Sequence, residues 1–149
     1  MIRVPAELRT IMSNVAKANV YIHFKDNCLQ AMEFYKSCFG GELMVMNVAD
    51  TPMAAQMPGM ENLVMHAQLD APGVTVMASD WCAPSEYKPG NNFSVYLECT
   101  SAAEQDALYN KLLEGGSVNM PLSDTFWGSR FGMVKDQFGI DWMLSVPLS

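Results

Sequence analysis

From Asn19 to Phe24 the run N-V-Y-I-H-F is rich in β-branched and aromatic residues, puts Val20, Ile22 and Phe24 on one side, and predicts a strand. Leu29, Met32, Tyr35 and Phe39 then recur at three- and four-residue spacing, the mark of an amphipathic helix. Asn27, with Gln30 three residues on, is the expected cap, and Gly40-Gly41 the expected end. Strand-like runs follow at Glu42 to Ala49, Leu63 to Leu69 and Val74 to Ser79. A Met/Pro/Gly-containing loop, Asp50 to Asn62, separates the first two, and the Pro72-Gly73 turn joins the last pair. The order is β-α-β-β-β.

The same order returns after Asn91-Asn92. Phe93 to Cys99 reads as a strand, and Ser101 with Glu104 forms an S-x-x-E capping box. Leu108, Leu112 and Leu113 give the helix its apolar side, Gly115-Gly116 closes it, and short strands are expected at Ser117 to Met120, Arg130 to Asp136 and Asp141 to Val146. Gly41 and Gly116 stand 75 residues apart, so duplication of one module is the economical explanation. The expected class is α+β, with tandem β-α-β-β-β modules forming a cupped mixed sheet. Residues 1–17 are read as an N-terminal extension and 18–147 as one domain, divided into module one (18–80), a linker (81–90) and module two (91–147).

Composition narrows the chemistry. With 50% hydrophobic and 17% charged residues in 149, the chain supports a packed core, and no uncharged run has the length and hydrophobicity of a membrane span. A formal charge of -7, from 9 Lys+Arg against 16 Asp+Glu, opposes binding to a phosphate backbone. Nucleic acid and membrane are therefore not expected partners. Arg3, Glu7, Arg9 and Lys17 interrupt any apolar stretch of the kind secretion requires, and the four cysteines form no C-x-x-C, so a cytoplasmic protein with free thiols is expected. No C-x-x-C, G-x-S-x-G or G-x-x-x-x-G-K motif is present.

Three segments carry a family resemblance: F-Y-K-S-C-F-G-G-E-L after the first strand, V-M-A-S-D-W at the end of module one, and D-T-F-W-G-S-R-F-G-M-V-K-D-Q-F-G-I-D-W-M near the end. Together they resemble the PhnB-like branch of the vicinal oxygen chelate superfamily, which includes glyoxalase I, extradiol dioxygenases and bleomycin- and fosfomycin-resistance proteins. The resemblance covers about Ala18 to Pro147. It implies paired modules whose curved sheets make a cup, completed in a homodimer, with a metal held by one ligand on the first and last strand of each module. Counting along the motifs puts those positions at Val20, at Ala78 or Ser79, at Phe93 or Ser94, and at Met143. None supplies an imidazole or carboxylate, so neither the ancestral metal nor any other cofactor is expected. The branch is often labelled a demethylubiquinone methyltransferase; no glycine-rich loop after the first strand suggests a methyl-donor site.

The expectation is a small-molecule-binding protein with His66, Tyr96, Trp127, Arg130 and Met143 lining its cup. His66 shares a strand face with Gln68 and Asp70, and Trp127 and Arg130 offer an apolar wall and an anion anchor. His23, alternating away from Val20, is expected off the ligand face; Trp81, Trp142, Asp80, Glu98 and Asp136 are read as structural. Met53, Met57 and Met60 in one loop suggest a lid. The alternatives are a metal-dependent lyase or dioxygenase that has relocated its ligands, using His66 with Asp80, Glu98 or a partner subunit's carboxylate, and a resistance protein that sequesters a cationic drug.

Overall fold

The computed structural model describes residues 15–149, so residues 1–14 of the expected extension lie outside the described residues. Module one runs β1 (Val20–Phe24), α1 (Cys28–Phe39), β2 (Glu42–Asn47), β3 (Val64–Ala71) and β4 (Val74–Asp80). Module two repeats it as β5 (Val95–Glu98), α2 (Ala102–Leu113), β6 (Ser117–Asp124), β7 (Ser129–Lys135) and β8 (Asp141–Pro147). Each module is a four-stranded mixed sheet, ordered β1-β4-β3-β2 and β5-β8-β7-β6, with its first strand parallel to its last. The α+β class and the duplicated β-α-β-β-β order are as the sequence predicts.

The shared glycines have a shared cause. Gly41 stands at φ 86, where L side chains rarely sit, and a Cβ there would run into the Asp70 carbonyl and Ala71. A Cβ on Gly116 would meet the Lys135 carbonyl in the matching place. Both helices thus turn into the following strand through a gap that admits only backbone.

Several boundaries differ from expectation. Asn27 makes no side-chain cap; the Asp80 carboxylate, at the end of β4, accepts from the Cys28 N–H at 3.0 Å instead. A distant acid satisfies the helix start that a local residue was expected to satisfy. Ser101 does cap α2, accepting from Glu104 N. Strand β2 gives way to short 3-10 turns at Val48–Asp50 and Pro52–Gln56. Strand β6 continues through Pro121 to Asp124, which an edge strand tolerates because it owes one side no N–H, and its register slips twice.

One cluster of buried side chains spans both modules, from Phe24, Met32 and Leu69 to Leu112, Trp142 and Leu144. Helix α1 lies on β2, β3 and β4, α2 on β7 and β8, and the two helices touch. One face of each sheet is therefore covered by helix and the other is left open. All four cysteines are free thiols. Among the described residues no helix is long and apolar enough to cross a membrane.

Candidate functional site

Burial fixes which way each strand faces. Ile22, Phe24, Ala67, Leu69, Val76 and Ala78 are in the core, so strand alternation turns Tyr21, His23, His66, Gln68, Met77 and Ser79 to the open face of module one. Across that face the register aligns Tyr21 with Met77, Met77 with Gln68, and Gln68 with Met44. Module two repeats the row as Tyr96, Met143, Met133 and Met120. Met44 is 45% exposed and Met120 39%, so the outer ends of the two rows stand at the surface and not in the core.

The neighbouring row carries the polar chemistry. His23 is paired in register with Ser79, and His66 with Met46. Tyr21 Oη lies 3.2 Å from His66 Nδ1, and Ser79 Oγ lies 3.3 Å from His23 Nδ1. The Tyr21 ring stands between the two imidazoles, its centroid 5.1 Å from that of His23 and 5.7 Å from that of His66. The Trp81 indole, whose N–H donates to the Ser85 carbonyl, meets His23 edge-on at 5.2 Å. With Nδ1 engaged by Ser79, Nε2 is the His23 nitrogen left for a ligand.

This corrects the sequence reading of β1. Val20 shares the core-facing parity of Ile22 and Phe24, while His23, expected off the ligand face, stands on the open one. Val20, Ile22 and Phe24 do share one face as the alternation predicts, and packing makes it the core face. The histidines' common face was the signal available: His23 and His66 sit on strands whose aliphatic positions both alternate inward.

A cavity of about 510 Å³, in the range of small-molecule sites, opens at the seam between modules. Residues 20–23 of β1 form one wall, residues 92–95 leading into β5 a second, and residues 139–141 a third. Val20, Ile22, Phe93, Val95 and Ile140 make it mainly apolar, and His23 and Ser94 bring polar atoms to it. At its module-two wall Asp141 is already occupied, accepting from Lys135 Nζ at 3.0 Å and Asn119 Nδ2 at 3.1 Å.

The five residues expected to line one cup are not brought together. His66 is on the open face of module one beside Tyr21; Tyr96 and Met143 are register partners on that of module two. Trp127 is 54% exposed in the β6–β7 turn, edge-on to Phe131 and Phe126. Arg130 is turned to the opposite face, where Nη2 donates to Asp106 Oδ1 at 2.7 Å and Nη1 to Gln105 Oε1 at 3.0 Å. It anchors α2 to β7 and does not line the open face. None of the five borders the seam cavity, which residues of β1 and the approach to β5 form instead.

The donor set does not fit the divalent centre that the resemblance implies. Among the described residues no three of His, Cys, Asp and Glu converge as metal ligands. Asp80 points under the sheet, its oxygens accepting from Cys28 N at 3.0 Å and Val64 N at 2.8 Å, so it does not reach His66. The two imidazoles stand on either side of the Tyr21 ring, with only a phenol and a serine hydroxyl beside them, and do not make a set of three or four converging ligands.

Comparison with known proteins agrees with the fold. Protein PA1353 of Pseudomonas aeruginosa superposes with a TM-score of 0.81 at 35% identity, over 91% of this chain and 100% of that one. The PhnB protein of Bacillus cereus, described as a 3-demethylubiquinone-9 3-methyltransferase, superposes at 0.69 with 26% identity, over 87% and 98%. A glyoxalase/bleomycin resistance protein/dioxygenase from Nocardioides shares the fold at 21% identity and a TM-score of 0.56, over 96% and 91%. The model of the family described as 3-demethylubiquinone-9 3-methyltransferase matches residues 16–145, and the chain belongs to that PhnB-like family of glyoxalase-fold proteins.

Proposed function

We propose that the protein binds a small, mainly apolar molecule in the seam cavity, without a metal, as a homodimer in the cytoplasm. The observation that carries the reading is the 510 Å³ space between β1 and the approach to β5, apolar along its walls and bordered by the one imidazole whose Nδ1 a buried serine engages. His23 Nε2 then meets a hydroxyl or carbonyl of the ligand while Val20, Ile22, Val95 and Ile140 exclude water from its body. Tyr21, bonded to His66, is the next polar group along the wall. Homodimerisation is supported by large apolar side chains left in solvent, Phe93 at 84% and Phe126 at 98% exposed.

The family description names a methyl transfer. The connection from β1 to α1 is Lys25-Asp26-Asn27, without the glycines that let a loop close over a nucleotide-like donor, so the reading stops at binding.

The test is an amide-shift titration with 2-naphthol, a flat apolar molecule with one hydroxyl, on protein purified without chelators and weighed intact by native mass spectrometry. Saturable shifts at residues 20–23 and 92–95, weakened in His23→Ala and lost in Ser94→Trp, are expected, on a metal-free dimer of about twice 16.5 kDa. A stoichiometric metal ion, a monomer, or a titration that Ser94→Trp leaves unchanged overturns the corresponding part of the proposal.

A further inference from the structure

The duplication makes a second, less obvious difference visible on the helix side of the sheets. Each module's last hairpin turn reaches toward the other module's helix and first strand. In one of these two places Phe138, from the β7–β8 turn, fills the space against Phe24 (6.3 Å between centroids), Phe34 (5.7 Å) and Tyr35 (6.3 Å). In the other, the β3–β4 turn presents Pro72-Gly73, and the position matching Phe24 at the repeat interval is Cys99. Small residues replace aromatic ones, and a cavity of about 690 Å³ remains between that turn, β5, the end of α1 and α2.

Its α2 wall is ordered. Glu104, Ala107, Leu108 and Lys111 all border the cavity, at the spacing that aligns residues along one helix face. An acid therefore stands at one end, a base at the other, and two apolar side chains between, with the charged residues about 10 Å apart at roughly 1.5 Å per residue. Cys38 and Phe39 at the end of α1 and Val74 of β4 continue the apolar surface. Lys111 is in none of the ion pairs formed among the described residues, and Glu104 accepts from the Thr100 hydroxyl at 2.5 Å, which leaves its other oxygen.

We propose that this cavity is a second binding site, for a linear zwitterion with an apolar middle, its ammonium at Glu104 and its carboxylate at Lys111. It is separate from the seam cavity, sharing none of its lining residues.

The probe is 8-aminooctanoate, with octanoate and octylamine as single-charge controls, followed by amide shifts on the full chain. Saturable shifts are expected at Cys38, Phe39 and residues 107–111. The zwitterion should bind more tightly than either control, by roughly two- to fivefold for each exposed ion pair. Ala107→Phe, at an exposed helix position, should abolish those shifts by filling the space as Phe138 does. Lys111→Gln should reduce the zwitterion to the affinity of octylamine, and circular dichroism should show both variants folded. Shifts confined to residues 20–23 and 92–95, equal affinity for all three probes, or binding unchanged by Ala107→Phe overturns the proposal.

Discussion

The two places where one module meets the other's helix are built from the same duplicated frame and end in opposite conditions. Where the β7–β8 turn meets α1, Asp136 is 3% exposed and collects four donors: the Tyr35 hydroxyl at 2.6 Å, the Trp142 indole N–H at 2.8 Å, and the N–H groups of Phe138 and Ile140. Tyr35 belongs to module one and the other three to module two, so the carboxylate ties the modules together. Where the β3–β4 turn meets α2 there is no counterpart: Ala71 stands in the place of Asp136, and the space is open. The comparison teaches that a repeat supplies position, while a few side-chain volumes decide whether a position is cement or a site.

The largest effect is expected from Asp136→Ala, which breaks the filled side. It strands a buried phenol and a buried indole N–H together with two backbone donors, and should cost about 4 kcal/mol. The urea midpoint should fall sharply. A loss under about 1 kcal/mol would show that water replaces the carboxylate and that the tie is not what holds the modules. Phe138→Ala makes the filled side resemble the open one. Removing a half-buried ring from between Phe24 and Phe34 should cost about 3 kcal/mol by the cavity it leaves, read in the same titration. Asp80→Ala removes the carboxylate that serves only module one. Losing its bonds to Cys28 N and Val64 N should cost about 2 kcal/mol. If it matched Asp136→Ala, the contrast between a tie across modules and a cap within one would fail.

The sequence carried the frame and not the contacts. Strand order, both helices and the repeat were legible because alternation, three-and-four spacing and paired glycines are local signals. The face of β1 was not, since Val20 and His23 differ in parity and only packing against α1 decides which side is inside. Arg130 illustrates the same limit. Its partner could be sought in its own hairpin at Asp124 or Asp136, but Asp106 lies on α2, 24 residues away. Asp80 displaced Asn27 as the cap of α1 across 52 residues for the same reason. The seam cavity is formed by β1 and the approach to β5; the repeat marks these as equivalent segments, but only the packing of module on module brings them face to face, and none of the five residues expected to line a cup borders it.

The smallest effect sharpens the comparison through pH. Cys28, fully buried at the start of α1, has its thiol pushed up to about 12, first by burial and then by the Asp80 charge beside it. Cys99, the buried thiol that borders the open cavity, is raised too, by burial and then by Glu104. A thiol whose pKa is raised on folding stabilises the native state fully below the unfolded value of about 9; that stabilisation is lost as pH climbs from there toward the folded value. Unfolding should therefore become easier between about pH 9 and 12. Tyr35, raised by burial and by Asp136, acts in the same direction. Cys28→Ala should flatten the alkaline decline measurably, and Cys99→Ala less so, because its neighbouring cavity leaves its thiolate closer to solvent. Equal flattening by the two variants, in urea midpoints taken at pH 8 and at about pH 10.5, would mean that the open side is as dry as the filled one.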